Sequence, residues 1–428
     1  MKVLMFGWEF PPHISGGLGT ACYGLTKGLS KIDDLDIIFV VPKAYGDEDE
    51  SKMKLVGANN THIKQIQEHI RKFKSKHTYL EVESELIPYN DPDEYYTFRN
   101  SKLFGKNKLF KVNSEGKLEF TGKYGANLIE EIYKYAYVAS TISMDNEHDI
   151  IHAHDWLCYP AGIAAKEVSG KPLVVHVHAT DFDRSGGSVN PKVFEIEKMG
   201  MDAADKIIAV SNLTRNIIIE KYGQDPSKVE TVYNAVEPVS YEQKQANKKG
   251  VKEKVVTFLG RITMQKGPEY FVEAANAVLK RTNNVRFVMA GSGDMLEKMV
   301  ARAAQLGISD RFHFTGFLKG DDVFKMFEIS DVYVMPSVSE PFGISPLEAM
   351  QSNVPVIISK QSGVSEILTH AIKVDYWDID ALADAIYGII KYDSLSRVFK
   401  EKGKEEVDNL KWTNAARHVH QVYSTVIN

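Results

Sequence analysis

Short apolar runs recur along the chain, each closed by glycine, proline or a polar cluster and each followed by a stretch with apolar residues at helical spacing. Lys2–Gly7 is the first such run. Gly16–Gly17–Leu18–Gly19 follows as a glycine-rich loop, Thr20–Lys31 has a helical pattern, and Asp36–Pro42 is apolar again. Strand, glycine loop, helix and strand in this order open a doubly wound α/β domain. The alternation then predicts a helix over Tyr124–Ser143 and strands at Asp149–His152, Leu173–His178 and Lys206–Val210. Helices are expected between them at about 159–168, 193–204 and 213–222, and Lys228–Tyr233 with Asn234–Ala235–Val236 closes this half.

Two stretches break the rhythm. Residues 43–123 are rich in Lys, Glu, Asp, Asn and Tyr, with only short apolar pieces at Tyr79–Ile87 and Lys108–Val112. They are expected to be an insertion, partly hairpin and partly loop. Residues 240–254 are polar and Lys-rich without a core pattern, and so read as a linker. A fresh strand starts at Val255–Gly260, and strands at 285–290, 312–316, 331–336, 354–358 and 371–375 follow with helical segments between them. That is a second complete α/β domain. Near 411–427, Trp412, Ala415, Ala416, Val419, Val422 and Tyr423 fall on a helical period and mark a packed amphipathic helix. The expected division is an N-terminal domain over 1–238, carrying the insertion at 43–123, and a C-terminal domain over 239–410.

Composition narrows the class without naming it. With 428 residues and 43% hydrophobic content, the chain can bury two cores. A net charge of -5 gives no reason to expect a nucleic acid or an anionic membrane as partner. Cys22 and Cys158 are too few for a disulfide framework or a zinc site and read as small core residues, which fits a reducing compartment. Met1–Phe6 runs straight into a strand with no signal-peptide pattern, and no apolar run reaches the ~18 residues of a membrane span. The expectation is a cytoplasmic protein with no integral membrane segment.

The chemistry-bearing residues gather at strand ends. Ser339–Glu340–Pro341–Phe342–Gly343–Ile344–Ser345–Pro346–Leu347–Glu348 follows a buried strand and places two carboxylates eight residues apart. Ser345 has the character of an N-cap, Pro346 suits the first helical position, and Glu348 falls where a capping-box Glu belongs. Arg261 ends Val255–Gly260, and Lys266 abuts the helix that Pro268 begins. Two cations at a strand's carboxyl end beside a helix N-terminus form an anion site. Arg grips two oxygens while Lys acts as a point charge, each bond contributing ~1.5–3 kcal/mol. Gly16 and Gly17 let a ligand approach the backbone, but Gly16-Gly17-x-Gly19 lacks the Gly-x-Gly-x-x-Gly spacing of a dinucleotide fingerprint. In Ile150–Ile151–His152–Ala153–His154–Asp155–Trp156, His152 reads as structural, with His154 and Asp155 better placed for a site. Alternation puts His176 and His178 on one strand face, with His178 at the strand end. His-x-His plus one Asp is an incomplete zinc set. The polar loop Asp181–Gly187 is a place where an acceptor could be met, and Ser211 reads as a helix cap.

Glu-x7-Glu with Pro-Phe-Gly between, Arg-x4-Lys, and Gly-Gly-Leu-Gly after the first strand together resemble the retaining glycosyltransferases of the GT-B fold, especially family 4 and the glycogen and starch synthases. The resemblance covers nearly the whole chain outside 43–123. It implies two Rossmann-like doubly wound parallel-sheet domains facing across a cleft, with the last helix, about 411–428, returning to the first domain. It assigns the donor to Gly16, Gly17, Arg261, Lys266, Leu318, Gly343, Ile344, Ser345 and Glu348. Glu340 and His178 would sit at the reacting sugar, and His154 and Asp155 on the acceptor side. Family members carry no metal, so no cofactor is expected beyond the nucleotide-sugar co-substrate. One departure stands out: bacterial glycogen synthases and plant starch synthases carry a Lys two residues before the paired glycines, and Ile14 stands there.

The expected activity is transfer of a hexose, with glucose favoured, from UDP- or ADP-glucose to an acceptor hydroxyl, with retention. Similarity around 148–156 and 176–187 points to an α-glucan acceptor. A lipid, a sugar phosphate or a small molecule is the alternative. A nucleotide-sugar epimerase, a pyridoxal-phosphate phosphorylase and a non-catalytic carbohydrate-binding protein are further readings, the last opposed by Arg261, Lys266, Glu340 and Glu348 all being present.

Overall fold

The structure is a computed structural model that describes residues 1–14, 16–48, 50, 53–61, 113, 117–125, 127–237, 250–318 and 320–427. The chain divides into two compact units, one of Met1–Phe182, Ser188–Asn234 and Trp412–Asn428, the other of Asp183–Gly187 and Ala235–Lys411. The break at 234/235 lies close to the boundary read at 238/239. Of the expected insertion and linker, residues 62–112 and 238–249 lie outside the described residues, including Tyr79–Ile87 and Lys108–Val112.

The first unit is built on a seven-stranded sheet ordered β3-β2-β1-β4-β5-β6-β7. Its strands are β1 (Lys2–Phe6), β2 (Asp36–Val41), β3 (Lys54–Gly57), β4 (Ile150–His154), β5 (Leu173–Val177), β6 (Lys206–Ala209) and β7 (Val229–Thr231), and every described pairing is parallel. Helices α1 (Gly17–Leu29), α2 (Leu128–Asp145), α3 (Tyr159–Ser169), α4 (Asp181–Ser185), α5 (Pro191–Ala203) and α6 (Asn212–Tyr222) make the crossovers. The expected alternation is present, with two corrections. Within 43–123, Lys54–Gly57 pairs in parallel with β2, so this part of the insertion extends the core sheet rather than forming a hairpin. Asp181–Ser185, read as a loop, is a short helix.

Tyr135 of α2 is fully buried, and its hydroxyl donates to the carbonyls of Gly7 (3.1 Å) and Val40 (2.7 Å), fixing the carboxyl ends of β1 and β2. The terminal helix of this unit, α13 (Trp412–Ile427), packs on α1. All six apolar residues read on its period are buried. A Cβ at Gly24 would fall 2.3 Å from the Trp412 ring, so only glycine lets the indole lie on α1. Burying a ring of that size contributes on the order of 4–6 kcal/mol.

The second unit repeats the plan with a six-stranded parallel sheet, ordered β10-β9-β8-β11-β12-β13. The strands are β8 (Lys254–Leu259), β9 (Val285–Ala290), β10 (Phe312–Gly316), β11 (Val332–Met335), β12 (Val356–Ser359) and β13 (Ile372–Val374). Helices α7 (Pro268–Leu279), α8 (Leu296–Gln305), α9 (Asp321–Ile329), α10 (Ser345–Gln351), α11 (Ile379–Lys391) and α12 (Asp393–Val407) cover it. Phe258, Phe271, Phe287 and Phe312 meet in the core on one side, the last two stacked at 5.6 Å. Strand order reverses between β8 and β11, and the crevice beyond such a switch point is where open α/β sheets take ligands.

Candidate active site

In the first unit, the chain leaving β1 buries Trp8, Glu9 and Phe10 before it reaches α1. The glycines expected to form a loop belong to a helix: Gly16 is the extended N-cap and α1 already begins at Gly17, with no side chain capping the end. Gly16 and Gly17 are exposed, and a Cβ on either would meet nothing within 4 Å. Their own fold does not require glycine, yet it leaves the helix N-terminus bare to an anion. Gly19 differs, since a Cβ there would lie 2.6 Å from Ile14 and 2.8 Å from the Glu9 carboxylate. Glu9, which the sequence reading did not single out, is a buried carboxylate three residues past β1.

His152, His154, His176 and His178 form one stacked cluster on β4, β5 and the residue just past β5. Ring centroids lie 4.2 Å apart for His152–His154 and 4.4 Å for His176–His178. The ring nitrogen Nδ1 of His154 is 3.0 Å from Nε2 of His178, and Nδ1 of His152 is 2.5 Å from the Tyr423 hydroxyl of α13. Burial lowers the pKa of His152 and of His178 to about 3 and holds His154 and His176 well below the usual range. All four are neutral at neutral pH. His154 and Asp155, expected on the acceptor side, are instead fully buried. Asp155, in a left-handed backbone conformation (φ 60°), accepts from the backbone N–H of His178 at 2.9 Å and of Ala179 at 3.3 Å. Both residues therefore hold the His178 strand end, because β4 runs to His154, two residues further than the sequence pattern suggested.

The donor atoms of His152, His154 and His176 lie within 4.8 Å of one another, a spacing that invites a metal. Their rings are stacked, with interplanar angles of 7° for His152–His176 and 27° for His154–His176. In-plane lone pairs of near-parallel rings run side by side and do not converge on a tetrahedral centre. These residues do not fit a metal ion.

The second unit's site is charged. Past β8, a single 3-10 turn, Met264–Lys266, leads into Gly267 and α7. Gly267 is obligatory: its φ is 65°, and a Cβ would fall 2.1 Å from the Pro336 carbonyl. Arg261 donates to the side chain of buried Gln265 at 3.1 Å, and the Gln265 carbonyl accepts from Val338 N–H at 2.9 Å, tying the cation loop to the segment after β11. Lys266 Nζ reaches Glu340 Oε2 at 2.5 Å, and Ser337 donates to the same oxygen at 3.2 Å. The Glu340 backbone is pinned by bonds to the Gln361 carbonyl (3.0 Å) and from the Gly363 N–H (2.9 Å). The two signatures read separately in the sequence are thus one constellation.

The expected cap is corrected. The N-cap of α10 is Ile344 without a side-chain bond, and Ser345 is the first helical residue, so no capping box forms. Glu348, half-buried in the first turn, has its pKa raised to about 7 by burial. Buried Tyr333, also missed, donates to the Leu259 carbonyl at 3.2 Å and bonds Ser345. Burial, with the Glu340 and Glu348 charges, pushes its phenol pKa upward. Gly343 (φ 102°) turns the chain between Glu340 and the helix, beside Ile344. Leu318, assigned to the donor by the resemblance, follows β10 and is half-buried.

Two such doubly wound units, each with its ligand-type residues at the strands' carboxyl ends, have the make-up of the GT-B fold. Residues 239–406 match the model of glycosyl transferases group 1, and residues 128–239 match that of glycosyltransferase family 4. An uncharacterised glycosyltransferase of Methanocaldococcus jannaschii is 27% identical over 99% of this chain and 98% of its own. The glycogen synthase of Mycobacterium tuberculosis is 21% identical over 99% of this chain and 94% of its own. In structure, Anabaena HepE in complex with UDP and glucose superposes with a TM-score of 0.68 at 17% identity, covering 99% of this chain and 100% of that one. The chain belongs to the family 4 glycosyltransferases of the GT-B fold. No described helix is long and apolar enough to cross a membrane.

Proposed function

We propose that this enzyme transfers glucose from UDP- or ADP-glucose to an α-glucan, with retention of anomeric configuration and without a metal. The observation that carries the reading is the constellation Arg261–Lys266–Glu340 at the carboxyl ends of β8 and β11. Full-length similarity to a glycogen synthase and the UDP and glucose held by HepE support it. The bond from the sugar C1 to the diphosphate oxygen breaks, and its electrons leave onto a diphosphate held by Arg261 and Lys266. Gly16 and Gly17 are assigned to the same group by the family motif. Glu340 holds the sugar hydroxyls and offsets positive charge at C1, while Glu348 accepts from the ribose. The acceptor oxygen bonds to C1, and its proton passes to the departing diphosphate. His178, neutral and fixed by His154 and Asp155, shields the reacting centre without adding charge. The cations already present supply the charge that a metal would give the diphosphate elsewhere. The free, buried thiols of Cys22 and Cys158 fit a reducing cytoplasm.

Release of UDP or ADP from a panel of nucleotide sugars, with and without glycogen, tests this. The expected result is glycogen-stimulated release from a glucose donor, radiolabel entering the polymer, and loss of both in Glu340→Ala. Release without glycogen stimulation would redirect the acceptor to a lipid, a sugar phosphate or a small molecule. No release from any donor would overturn the reading.

A further inference from the structure

Lys266 and Glu340 belong to two different halves of donor recognition, the diphosphate and the sugar, yet in this structure they are each other's partner at 2.5 Å. The pair is largely sheltered, with side-chain exposures of 20% and 9%. Its geometry is built from both sides. The Gly267 cap sets the Lys266 end of its turn, Ser337 holds the same Glu340 oxygen, and two backbone bonds fix the residue that carries it. Arg261, in contrast, is oriented by the neutral Gln265 amide. Lys266 is therefore charge-compensated before a ligand arrives.

Resting on the donor-site reading above, we propose that Glu340 is an internal stand-in for the diphosphate, and that donor binding proceeds by exchange of the Lys266 partner. An incoming diphosphate draws the ammonium away from Glu340. The carboxylate so released is the group that must accept from the donor sugar's hydroxyls. A free nucleoside diphosphate breaks the ion pair and leaves Glu340 uncompensated in a sheltered position, which opposes its binding. An intact nucleotide sugar supplies new donors to that carboxylate. The exchange thereby favours the donor over the spent diphosphate, a specificity that neither residue has alone.

Calorimetric titration of the full chain with UDP and with ADP tests this. Glu340→Gln keeps the shape and removes the charge. It should bind the preferred nucleoside diphosphate about tenfold tighter than the parent (~1.4 kcal/mol) even as turnover falls. In a Lys266→Met background the same substitution should change affinity by less than about twofold, because the competition is gone. A merely structural role for Glu340 would weaken binding in both backgrounds. Unchanged or weaker diphosphate binding in Glu340→Gln overturns the exchange while leaving the donor site standing. No binding of either diphosphate by the parent overturns the donor-site reading and the exchange with it. Should Glu340→Gln lose its native circular dichroism, Glu340→Ala carries the same expectation of tighter diphosphate binding.

Discussion

The two units share an architecture and differ in what they place at the carboxyl ends of their strands. The first gathers four neutral histidines, three of them buried, and a bare, glycine-lined helix start that is exposed. The second presents Arg261, Lys266 and Glu340 as a charged network, with the Lys266–Glu340 pair largely sheltered. A parallel sheet directs ligands to one edge and is indifferent to the chemistry waiting there. One unit lines its strand ends mainly with neutral rings, and the other with an ion pair and an arginine.

Acid gives the largest contrast. His152 and His178 have pKa values near 3 in the folded chain against the usual 6.5, so below pH 6.5 the unfolded state binds protons that the folded state refuses. Their contribution is complete above that pH and is lost as pH falls toward 3, costing about 2 kcal/mol for each histidine at pH 5. Amide protection factors, taken relative to the intrinsic exchange rate at each pH, should fall in β4 and β5 between pH 7 and pH 5 well before those of β8 and β11 respond. An equal fall in both units would remove the distinction. Next, Arg261→Ala should lower kcat/KM about 100-fold or more (~3 kcal/mol) with little change in melting temperature, as steady-state kinetics beside a thermal melt would show.

Glu348 titrates in the opposite sense from the histidines. Its folded pKa of about 7 exceeds the ordinary 4.5, so ionisation costs stability as pH rises from about 4.5 through 7. Glu348→Gln should flatten that part of the melting-temperature profile, and an unchanged slope would mean the carboxyl is better solvated than its burial indicates. The smallest effect is that of Gly17→Ala. Open space and helical geometry should make it neutral to stabilising by up to about 1 kcal/mol, while the KM for the donor rises. A loss of stability with unchanged KM would make Gly17 a packing residue like Gly19.

The fold was legible wherever burial on two faces wrote itself as an apolar run, as at β1 and β11. It failed at Lys54–Gly57, a four-residue edge strand whose one covered side leaves hardly any pattern. Local rules also named the wrong cap for α10. Ser345 has the right chemistry, but its hydroxyl is taken by Tyr333 of the preceding strand, β11, a pairing outside the local spacing that capping rules use. Arg261, Lys266 and Glu340 were readable one by one, because charge at a strand end is conspicuous. That Lys266 meets Glu340 was not, since 74 residues separate them. Burial of His154 and Asp155 escaped notice for the same reason: what covers them comes from elsewhere in the chain.

Helix α13 has a further consequence that lies in time rather than in space. The residues that complete the first unit, Trp412 against α1 and Tyr423 against His152, follow the whole of Ala235–Lys411 in the chain. During synthesis the first unit must therefore wait, its histidine face lacking the tyrosine hydroxyl, until the second unit has left the ribosome. A nascent chain stopped anywhere in the second unit would lack the helix that closes the first.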